Sequence, residues 1–105
     1  MPTLKLDEFT VETDDEGYLL DHHAWTLNLA QALGQREGVP LLTDRHLQVI
    51  HYLRKVFAVR GETPNVYQVS QESGVGTQEL YALFPGAPVK KAARIAGVKK
   101  PTSCV

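Results

Sequence analysis

A mainly helical α+β fold is what this sequence predicts, with a β-hairpin first, a series of short helices after it and a mobile C-terminal arm. Three observations carry that prediction. Apolar residues alternate around an Asp/Glu-rich turn in "FTVETDDEGYLL", the pattern of a hairpin. From about Asp21 onward the apolar period changes from two to that of a helix. After Gly97 periodicity is lost altogether, and Pro101 prevents a helix from continuing.

Taken in order, Phe9, Val11 and Thr13 form the first limb of the hairpin, Asp14 to Gly17 its turn, and Tyr18 to Leu20 the return. Trp25, Leu29, Ala32 and Leu33 fall at helical spacing, with Asp21 or the residues after it as the start and Gly34 or Gly38 as the stop. "LLTDRHLQVIHYLRKVFAVRG" is the clearest helix. Thr43 suits its N-cap, Asp44 the positive end of its dipole, and Gly61 its end. Its stripe of Leu47, Ile50, Leu53 and Phe57 is apolar except at Arg54. In "TPNVYQVSQESGVGTQELYALFP", Pro64 suits the first turn of one short helix, and a second begins near Thr77, whose side chain could cap it. The tight turn between them makes a helix-turn-helix. Val89, Ala92, Ala93, Ile95 and Ala96 mark a last amphipathic helix ended by Gly97. Residues 98–105 then form an arm carrying Cys104, beyond a single domain of residues 1–97.

Composition narrows the function. At 105 residues, 43% hydrophobic and 22% charged, the chain is the size of one domain with one modest core. A single cysteine forms no internal disulfide, and the start has neither the pattern of a signal peptide nor an apolar run able to span a bilayer, so a cytoplasmic setting without membrane contact is expected. His46 and His51 lie five residues apart, out of register for a shared ligand, and His22 and His23 diverge; no metal and no cofactor is expected. The net charge of -1 conceals an asymmetry. Residues 1–42 hold two basic side chains against eight acidic ones, whereas residues 43–105 hold nine basic against four acidic. From Gly86 onward Lys90, Lys91, Arg94, Lys99 and Lys100 stand with no acid, which suits either a solvated surface or a docking face for an anionic partner.

Two motifs compete for the function. A helix-turn-helix reads DNA when polar side chains at the start of its second helix meet bases and cations meet phosphate. Thr77 and Gln78 could do the first, but Glu79 opposes phosphate and no Lys or Arg lies between Gln68 and Phe84, which argues against direct nucleic-acid binding. The other motif is the solitary thiol in "KKPTSCV". Its thiolate would be the reactive form; Lys99 and Lys100 favour that form, the carboxylate of Val105 opposes it, and solvent screening leaves a modest balance. Eight extended residues reach about 30 Å. Such reach fits a carrier entering the active sites of other proteins, and not a stand-alone catalyst, which holds its nucleophile rigidly beside a base.

"KKAARIAGVKKPTSCV" is similar to the C-terminal signature of the DsrC/TusE family of sulfur-relay proteins, whose members run "KIAGLPKPTGC" or close to it before one last residue. "DDEGYL" with Trp25 after it, "LLTDRHLQVIHYLR" and "LYALFP" continue the resemblance over nearly the whole chain in the same order. The resemblance implies an N-terminal β-hairpin on an orthogonal helical bundle with a helix-turn-helix, and a flexible C-terminal arm. It implies that Cys104 accepts sulfane sulfur as a persulfide from a TusBCD- or DsrEFH-like complex or another sulfurtransferase. An acceptor enzyme, in tRNA 2-thiouridine synthesis or sulfur oxidation, then takes it. Family members in the dissimilatory sulfite reductase system pair that thiol with another eleven positions upstream. Here that position is Ala93, so only one-cysteine, TusE-like chemistry is left. Leu47 replaces the usual Trp, "GAP" a spaced "GP", and "VKKP" the usual "LPKP", and the arginine usual soon after Pro64 is missing; all bear on partner identity. On this reading Cys104 carries the sulfur, and Lys90, Lys91, Arg94, Lys99 and Lys100 form the partner-binding surface. A DNA-binding regulator and a non-carrier binding module within a sulfur-enzyme complex are the alternatives.

Overall fold

The computed structural model describes residues 3–6 and 9–101. Strands β1 (Thr3–Leu6) and β2 (Phe9–Glu12) pair antiparallel, with Thr3 opposite Glu12 and Leu6 opposite Phe9. Five α-helices follow: α1 (Leu27–Arg36), α2 (Asp44–Arg60), α3 (Val66–Glu72), α4 (Thr77–Leu83) and α5 (Pro88–Ala96). The fold is thus mainly helical with one small hairpin, the class expected from the sequence.

The hairpin lies upstream of its expected place. Its ladder uses "TLKL", where Leu4 and Leu6 turn toward the core beside Phe9 and Val11. The Asp14–Gly17 turn is present, but it closes on a single bridge between Thr13 and Leu19. Tyr18 and Leu19 are consecutive and both buried, 1% and 3% exposed, which no strand with alternating faces permits. Asp14 bends the chain instead: its Oδ1 accepts the backbone N–H groups of Glu16 and Tyr18.

The expected helix start at Asp21 resolves into two elements. Asp21 caps only a 3-10 turn at His22–Ala24; Thr26 is the N-cap of α1, its side chain accepting from the Leu29 N–H. Trp25 therefore sits between helices. Gly34 is buried inside α1 against the carbonyl of Val39, and the chain turns at Gly38. Thr43 caps α2 as expected, and His46 returns the favour by accepting the Thr43 N–H at Nδ1 while its Nε2 lies 2.9 Å from the Leu83 carbonyl. A neutral imidazole protonated at Nε2 satisfies both contacts. The buried stripe of α2 is His46, Val49, Ile50, Leu53 and Val56, rotated slightly from the expected one, with Leu47 and Phe57 at its margin.

In the helix-turn-helix, Asn65 and not Pro64 begins the first helix, and Gly76 precedes the second, so Thr77 is its first residue and makes no cap. The turn is tied to α2: Gln48 donates to the Ser73 carbonyl, and Arg45 pairs with Glu79 at 2.6 Å. Helix α5 contacts α1, α2, α3 and α4. Its buried residues, Pro88, Val89, Ala92, Ala93, Ile95 and Ala96, include three alanines, which allows so many neighbours to close around one helix.

Candidate functional site

The site is built around the C-terminal end of α5, from which the chain runs toward Cys104. Cys104 itself lies outside the described residues, as do Thr102, Ser103 and Val105. The segment expected to leave the domain at Gly97 stays packed through Pro101. Val98 is fully buried and donates its N–H to the Ala93 carbonyl, Thr63 donates its hydroxyl to the Lys99 carbonyl, and Pro101 is buried. An apolar residue directly after the helix stop, facing the core, accounts for this difference.

Gly97 ends α5 in the left-handed region at φ +67°. A side chain there would also meet Trp25, its Cβ lying 2.8 Å from Trp25 Cδ1 and 3.0 Å from Leu19 Cδ2. A helix end leaves its last carbonyls without helical partners. Here three successive ones are each held by a side chain from elsewhere. Trp25 Nε1 donates to the Ile95 carbonyl at 2.8 Å, Arg54 Nη1 to the Ala96 carbonyl at 2.7 Å, and His22 Nδ1 lies 2.8 Å from the Gly97 carbonyl. Arg54 also donates from Nη2 to the His22 carbonyl and stacks over the Trp25 ring, 4.3 Å from its centroid. Burial holds the Arg54 guanidinium below its usual arginine value. Beside it opens a cleft of about 310 Å³ lined by His22, His23, Arg54, Phe57, Ala58 and Val98, with no acid among them.

The expected basic surface divides in two. Arg94 is half-buried and engaged: Nη1 pairs with Glu37 at 3.1 Å, Nε donates to the Glu16 carbonyl, and the guanidinium stacks over Tyr18. Lys100 pairs with Glu16 at 2.8 Å. Arg94 thus ties α5 to the Asp14–Gly17 turn and the end of α1, and Lys100 ties the segment after α5 to the same turn. Lys90, Lys91 and Lys99 enter no ion pair with another described residue; Lys99 is exposed and the two on α5 are partly so. Ala93 is fully buried within α5.

Sequence reasoning missed Trp25, His22 and Thr63 as parts of this site and noted Arg54 only as the charge interrupting an apolar stripe. That interruption was the available signal, because a charge on a buried helix face needs a specific partner. Among the described residues no group of three metal-ligating side chains occurs, and no helix is long and apolar enough to cross a membrane.

Comparison with known proteins follows the same outline. A family profile described as "DsrC like protein" matches residues 5–105. The chain is 34% identical to a protein of Pectobacterium atrosepticum named sulfurtransferase TusE, over 97% of this chain and 99% of that one. It is 33% identical to the gamma subunit of dissimilatory-type sulfite reductase from Nitratidesulfovibrio vulgaris, over 90% of each. The NMR structure of DsrC from Allochromatium vinosum superimposes with a TM-score of 0.81 at 30% identity, covering 98% of this chain and 97% of that one.

Proposed function

The chain belongs to the DsrC-like family, and from that premise we propose that it is a sulfur carrier whose working atom is the sulfur of Cys104. The observation that carries this reading is the family match running through residue 105, which takes in the sequence's only cysteine. The chemistry is a thiol–persulfide exchange. The Cys104 thiolate attacks the terminal sulfur of a donor persulfide; the donor's S–S bond breaks, its thiolate leaves with the electron pair, and Cys104 holds the new S–S bond. Delivery repeats the step in reverse on an acceptor, with no net oxidation. Because Ala93 offers no second thiol, discharge as an internal disulfide is closed to this chain, and the sulfur leaves only to a partner.

The partners are a sulfur-donating protein and an acceptor enzyme, met in a reducing cytoplasm where the thiol stays free. The acceptor acts in tRNA 2-thiouridine synthesis or in a sulfur-oxidation pathway. Of the five cations after Gly86, Lys90, Lys91 and Lys99, which enter no ion pair with another described residue, are the docking charges; Arg94 and Lys100 serve the fold first. Intact-mass measurement after incubation with a small-molecule persulfide donor tests the proposal. Wild type is expected to gain one sulfur atom that a reductant removes, and Cys104→Ser none. Equal gain by both, or none by wild type, overturns it.

A further inference from the structure

We infer that Arg54, with Trp25 and His22, is a positioning device that fixes how the packed segment after α5 lies on the body, and with it the place from which the thiol-bearing chain departs. This rests on the carrier reading for its purpose and on geometry for its existence. A helix ended by glycine in the left-handed region satisfies two of its last carbonyls through the turn itself, and the remaining ones need donors from elsewhere. At α5 the Gly97 N–H bonds back to the Arg94 carbonyl and the Val98 N–H to the Ala93 carbonyl. Three further carbonyls, those of Ile95, Ala96 and Gly97, then meet three different side chains. Thr63 fixes a fourth, that of Lys99.

Carbonyls on successive residues of a helix end stand about 100° apart around the axis. Pinning all three fixes the rotation of the helix end as well as its position. Arg54 is the centre of the arrangement, because one planar guanidinium joins the Ala96 carbonyl, the His22 carbonyl and the Trp25 ring. Its donors fork rigidly, so the angle between the 3-10 turn and the end of α5 is set by one group. For a carrier that enters several partners, an aimed exit narrows the volume the thiol must search before each encounter. That reduces the ordering entropy lost on docking.

A nitroxide attached to Cys104, the sequence's only thiol, reports the aim. In the wild-type protein the amide signals it broadens are expected to fall on one face of the described body. In Arg54→Met, which keeps the length and apolar stem but no donor, the broadening is expected to spread over more than that face, and Arg54→Lys to lie between. The Val98 amide should exchange with solvent about tenfold faster in Arg54→Met while the amides of Ile50 and Leu53 keep their wild-type rates. If Arg54→Met fails to fold, Trp25→Phe, which removes one donor and keeps most of the ring, and Thr63→Val serve in its place. A broadening pattern that is diffuse in wild type, or unchanged in the folded variants, overturns the inference. Neither result depends on whether Cys104 takes up sulfur, so failure of the carrier reading and failure of this one are told apart.

Discussion

Gly97 stands in the motif that carries the family resemblance, and its role is steric twice over. A left-handed backbone at φ +67° disfavours any L side chain, and a Cβ would press on Trp25 and Leu19. We predict that Gly97→Ala lowers unfolding free energy by about 1–3 kcal/mol, measured in urea at an unchanged slope. The same motif in sequence says only that the helix stops. Arg54 makes a parallel case. Its interruption of an apolar stripe was legible, but its partner at Ala96 lies 42 positions away, beyond the reach of any periodicity. Arg94 was assigned to the partner surface from charge alone; the fold places it between Glu37 and Tyr18, where it holds the turn.

Helices α2 and α5 were the elements most legible from sequence. Thr43, Gly61 and Gly97 act as the caps their types suggested, since capping depends on neighbours within four residues. The hairpin was placed one limb too late because the four residues of "TLKL" are too short a run to stand out, while the acidic turn was conspicuous. α5 is distinguished by what surrounds it. With neighbours on four helices, its alanines are the condition of close approach and not a weak apolar face. Ala93→Leu is accordingly expected to overpack the centre of the bundle and cost about 1–3 kcal/mol, although leucine is as apolar and nearly as good a helix former. Unfolding in denaturant measures it; a loss confined to a few tenths would mean that α5 has room its burial does not suggest.

Across the whole molecule, the charge asymmetry between the two halves of the sequence becomes an internal match: Glu16 and Glu37 meet Lys100 and Arg94. Part of what reads as a surface for partners is the seam that holds the C-terminal segment down. The alkaline limit of stability also belongs to this scale. Burial raises the phenol of Tyr18 above its ordinary 10.0, with Arg94 opposing, and burial followed by the hydrogen bond to Glu72 raises Tyr52 further. The folded state thus favours both neutral phenols. Their contribution is complete below the ordinary tyrosine value and is lost as pH rises past it toward the raised ones. Stability should therefore fall as pH rises above about 10, and Tyr52→Phe should flatten that fall. An identical profile for the variant would show that Tyr52 does not contribute.

Local order determined what sequence alone could supply here: the helical class, the caps, the short turn of the helix-turn-helix, and the solitary thiol within a family signature. Each depends on residues adjacent or one helical turn apart, whose preferences act before the chain is compact. The tertiary structure decided which charges remain outward, that Val98 and Pro101 stay with the body, and that three distant side chains hold the end of α5. Those outcomes follow from burial, which leaves a backbone carbonyl a high-energy group until some donor, from anywhere in the chain, is brought to it.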